Sequence, residues 1–98
     1  AMRTYEMMFI LKPDLAEETI AETKERLQKI LNDFGGEYIG EADGWGKRRL
    51  AYHIEDYIEG IYSVWFFNGK PETVAELDRV IKLSDRFLRH MIIRQDEK

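Results

Sequence analysis

The chain has 98 residues, and its 15 basic and 19 acidic side chains give a formal net charge of −4. This length corresponds to one domain, and the absence of cysteine excludes disulfide scaffolds, thiolate zinc sites and thiol nucleophiles. No apolar run is long enough for a membrane span and residues 1–3 lack a signal-peptide pattern, so we expect a cytosolic protein; taken alone, the net acidity disfavours a nucleic-acid partner.

The first third of the sequence predicts a strand followed by a helix. Residues 4–11 are apolar at both alternating positions, which is typical of a central strand covered on both faces. Asp14 and Glu17 have the spacing of a capping box, in which carboxylates accept the free amide hydrogens of a first helical turn. We therefore expect a helix over residues 14–34, ended by the glycine pair at 35–36.

The middle of the sequence predicts two strands. Residues 37–54 alternate with period two but contain three glycines, which indicates one long strand with a bend or bulge near Trp45. Residues 55–60 are predicted to form a polar connection. Residues 61–67 are aromatic or apolar at both alternating positions, so this third strand is expected to have neither face fully exposed to water.

The remainder predicts a second helix and a last strand. Pro71 suits the first position of a helix whose inward side carries Val74, Leu77 and Ile81. Residues 85–94 are read as the last strand, and residues 94–98 are expected to form a frayed tail.

The element order β-α-β-β-α-β predicts an α+β fold in a single domain over residues 1–98. Short connections and right-handed crossovers lead to a ferredoxin-like βαββαβ sandwich, a four-stranded antiparallel sheet with two helices on one face. In this topology the first and third strands are central, which agrees with the apolar pattern on both of their faces.

The sheet face opposite the helices is expected to be open and partly apolar. If the odd positions 5–11 lie under the helices, Met8 and Ile10 face outward. On the third and fourth strands, large apolar groups occur in both alternating sets, so the outward set is apolar whichever one it is. Such a patch indicates a docking surface for a protein partner or, alternatively, self-association. The candidate partner-facing residues are Met8, Ile10, Tyr62, Val64, Phe66, Met91 and Ile93.

Basic side chains are concentrated in two segments. Residues 47–49 read Lys-Arg-Arg on an edge strand, and residues 79–94 carry five basic groups against one acidic group, a local balance of +4. Because Trp45 and Tyr57 can stack on bases while basic groups contact phosphates, this pattern is consistent with an RNA surface. The alternative is that solvated charges protect a sheet edge from aggregation.

The acidic excess lies elsewhere and therefore does not exclude RNA. Residues 1–46 hold five basic and ten acidic groups, whereas residues 47–98 hold ten basic and nine acidic groups. This distribution predicts an RNA affinity that is shared with a more basic protein.

Catalytic chemistry has little support in the sequence. His53 and His90 lie on predicted strands without a nucleophile at a suggestive spacing. Residues 44–46 begin like a dinucleotide-binding loop, but the third glycine and the following helix are missing. No metal-ligand spacing occurs, so we expect a non-enzymatic protein without cofactor or metal.

Several separated blocks carry a family resemblance. Residues 46–54, Gly-Lys-Arg-Arg-Leu-Ala-Tyr-His-Ile, resemble the signature at the end of the second strand in the bacterial small-subunit ribosomal protein six (S-six) family. His53 departs from that pattern where proline is common, and Glu55 departs where a basic or small polar residue is usual. Further similar blocks, in the same order, are residues 2–6, 13–14, 59–62 and 88–91.

The resemblance implies a non-catalytic component of the small ribosomal subunit in the cytoplasm. Such a protein would bind the central domain of small-subunit ribosomal RNA as a heterodimer with ribosomal protein eighteen of the same subunit, and it would have a ferredoxin-like fold. The apolar open face is then the candidate surface for the protein partner. Carried over by position, the RNA-binding residues are Arg3, Lys47, Arg48, Arg49, Arg86 and Arg89.

A different class of function remains open beside this one. A ferredoxin-like domain with an apolar face can also be a self-associating ligand-binding or regulatory module. A hydrolase on the same fold would need a phosphate-cradling glycine loop with an arginine after the first strand, which residues 12–14, Lys-Pro-Asp, do not supply.

Overall fold

The computed structural model describes residues 2–95, which form five strand segments and two helices. The elements are β1 Arg3–Leu11, α1 Glu17–Asp33, β2 Glu37–Glu41, β3 Gly46–Ile54, β4 Tyr57–Gly69, α2 Pro71–Leu83 and β5 Phe87–Arg94.

The sheet is antiparallel throughout and follows the order β2-β4-β1-β5, with β3 also paired to β4. β2 pairs with residues 65–68 of β4, and β3 pairs with residues 57–62, so the two segments fill one edge position in succession. Residues 42–45 separate them, which confirms the predicted bend near Trp45. The ferredoxin-like sandwich is therefore observed as predicted, with β1 and β4 in the centre.

Both helices pack against one face of this sheet. Tyr5, Met7, Phe9 and Leu11 lie under the helices, as predicted, in one core with apolar residues of α1, α2 and β4. Burial of such side chains is the main stabilising contribution to folding, at roughly 1.5–3 kcal/mol for each large apolar group. The other core members are Leu27, Leu31, Trp65, Phe67, Leu77 and Ile81.

The predicted capping box at the start of the first helix is wrong. α1 begins at Glu17 after Ala16, and no side chain caps it. Asp14 lies two residues before that N-cap position, too far along the chain to reach the first-turn amides. Its carboxylate instead accepts a hydrogen bond of 3.2 Å from the hydroxyl of Tyr57. The predicted helix end is confirmed, because Gly35 adopts a φ of +79° just after the helix.

The predicted polar connection over residues 55–60 is also wrong. Ile54 pairs directly with Tyr57, so the connection is a two-residue hairpin turn. Glu55 and Asp56 have φ values of 49° and 69°, as a type I′ turn requires at both central positions. The sequence hid this turn because neither position is the usual glycine or asparagine.

The last strand starts later than predicted and ends at Arg94, as predicted. It begins at Phe87, two residues after the predicted position, and it includes Arg94, which pairs with Tyr5. The expectation of a frayed tail is therefore wrong at Arg94. Residues 96–98 lie outside the described part of the chain.

Candidate nucleic-acid interface

At one end of the open sheet face, four strands contribute to a single row of residues. Ile10 of β1 pairs with Tyr62 of β4 and faces Arg89 of β5, and Tyr62 pairs in turn with Gly46 of β3. Directly paired residues lie on the same face of an antiparallel sheet, and Ile10 belongs to the set opposite the helices. Arg89 and Gly46 are thus separated by three strand spacings, roughly 14 Å.

Trp45 is held beside this row by the loop between β2 and β3. The neighbouring Gly44 and Gly46 have φ values of +86° and +120°, which other residues rarely adopt. The Trp45 ring stacks on Tyr62, with ring centroids 5.7 Å apart and 22° between the planes. The Arg48 guanidinium lies 4.9 Å from the Trp45 ring centroid and donates a hydrogen bond to the Gly44 carbonyl. Trp45 therefore joins an aromatic and a cationic neighbour while 44% of its surface stays exposed.

The side chain of Tyr52, from the second half of β3, contacts Arg89 of β5, the strand at the opposite edge of the sheet. The pairing of β3 with β4 becomes irregular between Arg49 and Ile54; within this stretch Leu50 is buried and Tyr52 is 61% exposed. The Tyr52 hydroxyl accepts a hydrogen bond of 2.9 Å from Arg89, whose guanidinium carbon lies 5.3 Å from the ring centroid. This contact spans β4 and β1 and links the two edges of the sheet.

A small cleft lies on the open face between Tyr52 and Tyr62, beside Arg89. Its volume is about 150 Å³, and it combines aliphatic side chains with two tyrosines and one arginine. Such a lining can hold a flat aromatic ring beside an anionic or hydrogen-bond-accepting group. Among its lining residues are Met8, Ile10, Leu50, Tyr52, Tyr62 and Arg89.

Lys47 and Arg49 belong to the other alternating set of β3. They pair with Ile61 and Glu59 of β4, and both side chains are exposed. Within residues 2–95 neither side chain has an ion-pair or hydrogen-bond partner. They are therefore free to contact an external anion such as phosphate.

The structure does not bring Arg3 and Arg86 to this end of the sheet. Arg3 pairs with Gly69 near the other end of β4, nine residues from Gly60 and thus roughly 30 Å away along the strand. Arg86 lies beside α1, where its guanidinium donates to Glu22 at 3.1 Å and to the Thr23 hydroxyl at 2.9 Å. The six predicted RNA residues thus separate into four at this end of the sheet, on both of its faces, and two arginines elsewhere in the fold.

The apolar residues predicted for a partner do share the open face. The members on the other strands pair with Glu6, Met8 and Ile10 of β1, which places them on that face. This decides which alternating set of the last two strands faces outward, which the sequence had left open. Their exposure differs, because Ile10 and Val64 are already buried whereas Met91 is 47% exposed. The members on this face are Met8, Ile10, Tyr62, Val64, Phe66, Met91 and Ile93.

The histidines do not form a catalytic arrangement in the described residues. His90 lies on the helix side, where its Nε2 is 2.6 Å from Asp78. Two hydrogen bonds lower the pKa of the Asp78 carboxyl, the larger effect coming from Lys82 and the smaller from His90. Residues 2–95 contain no group of three or more His, Cys, Asp or Glu side chains that could hold a metal ion. In that same range no helix is long and apolar enough to cross a membrane.

Sequence reasoning missed Tyr52 and overvalued Tyr57. Tyr57 is partly buried in the hairpin, and burial together with its hydrogen bond to Asp14 raises the pKa of its hydroxyl. Tyr52, by contrast, is the more exposed ring and contacts Arg89. Alternation along β3 places Tyr52 in the same set as Arg48 and Leu50, but the sequence gave no signal that the Arg89 side chain of β5 reaches its ring.

Both the sequence and the fold of this chain are similar to those of known proteins. The family model described as Ribosomal protein S6 matches residues 4–94. A protein of Syntrophomonas wolfei named Small ribosomal subunit protein bS6 is 75% identical over 97 residues, covering 99% of this chain and all of that protein. A protein of the same name from Desulforudis audaxviator is 52% identical over 95 residues, covering 97% of this chain and all of its own length.

A solved structure agrees with these matches. The crystal structure of 30S ribosomal protein S6 from Thermotoga maritima superimposes with a TM-score of 0.89 at 28% sequence identity, covering 99% of this chain and 91% of that one. The sequence matches extend over nearly the whole chain and the fold is the same, so this chain belongs to the Ribosomal protein S6 family.

Proposed function

We propose that this chain is a structural, non-catalytic constituent of the bacterial small ribosomal subunit, where it binds the central domain of small-subunit ribosomal RNA together with ribosomal protein eighteen. Membership of the S6 family and the name shared by its bacterial relatives support the structural role in the ribosome. The site of action would then be the cytoplasm, on the ribosome.

The observation that carries the RNA part is the gathering of Lys47, Arg48, Arg49 and Arg89 at one end of the sheet. Arg48 and Arg89 lie there on the open face beside exposed aromatic rings, and Lys47 and Arg49 extend from the same end of β3 on its other alternating set. Phosphate contacts supply most of the affinity of such surfaces, and stacking adds to it. Arg3 and Arg86 would contact RNA only outside this group.

The observation that supports a protein partner is the apolar part of the open face next to the basic end. Met91 is 47% exposed there, and Phe66 and Ile93 are half-buried. Because the chain has a net charge of −4, a basic partner protein would complement it and add phosphate contacts of its own.

RNA binding is tested by reversing the charge of Lys47 and Arg49 together. Neither side chain has an internal partner among the described residues, so Lys47→Glu with Arg49→Glu disturbs no intramolecular ion pair there. With a central-domain RNA fragment and ribosomal protein eighteen present, we expect the salt-dependence slope to fall by about 2, one for each phosphate that the variant no longer neutralises.

The control for net charge reverses Arg26 and Lys29 of α1, which changes the net charge equally and breaks one exposed ion pair, that of Lys29 with Asp33. We expect nearly unchanged affinity from this variant. Equal reductions in affinity for both pairs would mean that only net charge matters, and an unchanged affinity for the Lys47 and Arg49 variant would refute the RNA surface.

The partner surface is tested by Met91→Asp, with Leu83→Asp as control. Leu83 is 75% exposed at the end of α2, on the helix side of the domain. Calorimetric titration with ribosomal protein eighteen should show weakened binding for Met91→Asp only. A homodimer of the free chain that dissociates on Met91→Asp, without any binding of ribosomal protein eighteen, would favour the self-association hypothesis instead.

A further inference from the structure

Resting on the proposed function, we infer that the cleft between Tyr52 and Tyr62 receives a single unpaired nucleobase, so that this end of the sheet binds unpaired nucleotides more tightly than it binds a continuous duplex. The volume of the cleft, about 150 Å³, is the first support. An apolar cavity of about this size accepts an aromatic ring such as benzene.

The chemistry of the lining is the second support. Met8 and Ile10 provide an aliphatic surface from β1, while Tyr52 and Tyr62 provide two aromatic rings. Flat bases stack on such rings in single-stranded RNA recognition, whereas bases inside a duplex already stack on one another and cannot enter. A base in this cleft leaves the protein partner the rest of the predicted apolar set on the open face, which is Val64, Phe66, Met91 and Ile93.

The position of Arg89 is the third support. Its guanidinium donates to the hydroxyl of Tyr52 and lies 5.3 Å from the ring centroid, toward the hydroxyl end, so that Tyr52 remains 61% exposed. A guanidinium has five N–H donors, and this contact uses one of them. The others are available to a base carbonyl or to the adjacent phosphate.

Trp45 extends the same surface beyond the cleft. It stacks on Tyr62, which also lines the cleft, and it lies within 4.9 Å of the Arg48 guanidinium. A nucleotide next to the inserted base would therefore meet the exposed indole and a cation. The indole is also a reporter, because the other tryptophan, Trp65, is fully buried in the core.

The test compares an unstructured single-stranded RNA of 23 nucleotides with a blunt RNA duplex of 12 base pairs, which has the same number of phosphodiesters, at low salt and with ribosomal protein eighteen present. We expect the single strand to quench the fluorescence of Trp45 and the duplex not to do so. The quenching is assigned to Trp45 by its absence in Trp45→Phe, which retains the buried Trp65.

Substitutions at Tyr52 separate stacking from hydrogen bonding. Tyr52→Leu should weaken single-strand binding by about fivefold or more, as removal of one base stack predicts, and leave duplex binding unchanged. Tyr52→Phe keeps the ring, removes the hydroxyl that accepts from Arg89 and should retain most of the affinity. Ile39→Ala, at an exposed apolar residue of β2, is the control expected to change neither.

Equal affinity for both RNAs, with no quenching and no difference between Tyr52→Leu and Tyr52→Phe, would overturn the inference and leave a phosphate-binding role intact. If neither RNA binds, both the proposed function and the inference are overturned.

Discussion

Gly60 of β4 is the position at which a single added methyl group should most clearly disturb the open face. A Cβ atom there would overlap Cγ2 of Ile10, closer than the 3.0 Å that real Cβ contacts respect, and would lie 3.4 Å from Cδ2 of Leu50. Ile10 is buried and branched at Cβ, so its methyl group cannot swing away without leaving its preferred rotamer.

The expected magnitude follows from two opposing effects. Overpacking a core typically costs about 1–3 kcal/mol, while replacing glycine by alanine stabilises by about 0.4–1 kcal/mol through the unfolded chain. We therefore expect Gly60→Ala to lower the free energy of unfolding by about 1–2 kcal/mol. Urea denaturation followed by circular dichroism measures this quantity.

Gly40 of β2 is the matched control. A Cβ atom there meets nothing within 4 Å, so Gly40→Ala has only the unfolded-chain effect and should be neutral or slightly stabilising. A double-mutant cycle with Ile10→Ala then isolates the overlap. In that background Gly60→Ala should cost almost nothing, which corresponds to a coupling energy of about 1 kcal/mol or more. Additive effects, or equal effects at both glycines, would refute the packing argument.

Three further predictions concern stability. Among residues 2–95 the buried Ser63 hydroxyl has no hydrogen-bond partner, so Ser63→Ala should raise the free energy of unfolding by up to about 1 kcal/mol in urea titrations; a clear decrease would indicate a hydrogen bond at that hydroxyl. Glu55 occupies a left-handed turn position, and Glu55→Asn should raise the melting temperature, whereas a decrease would contradict the strain argument. Hydrogen bonds from Lys82 and His90 lower the pKa of Asp78. The ionised carboxylate therefore adds to the free energy of unfolding above pH about 4, and this stabilisation is lost as pH falls through the lowered pKa. Asp78→Asn should therefore flatten the acid limb of stability against pH, and an unchanged limb would show that other carboxylates dominate.

Most of the fold could be predicted because its signals are local. The apolar pattern of residues 4–11, the stop at Gly35 and the bend near Trp45 are encoded within a few residues of the features that they predict. The errors arose where a local signal was ambiguous. Asp14 has capping spacing but pairs with a distant tyrosine, and the hairpin at Glu55 uses residues that sequence statistics do not associate with a left-handed turn.

The candidate site was less predictable because it depends on register. The basic run at residues 47–49 was visible in the sequence, but its association with Arg89 depends on the pairing of β1 with both of its neighbours. The same pairing separates Arg3 from that group by most of the length of β4. Arg86, close to Arg89 in sequence, lies on the helix side beside Glu22.

The sequence by itself therefore determined the elements, their order, the central strands and the family, because periodicity, glycine positions and motif blocks are properties of short segments. Only the tertiary structure decided which apolar set faces outward and which cations meet. Tyr52 and Arg89 are 37 positions apart in the sequence. Their side chains meet across the open face, at the point where the pairing of β3 with β4 becomes irregular. Contacts of this kind depend on sheet register and strand curvature, which many distant residues set together.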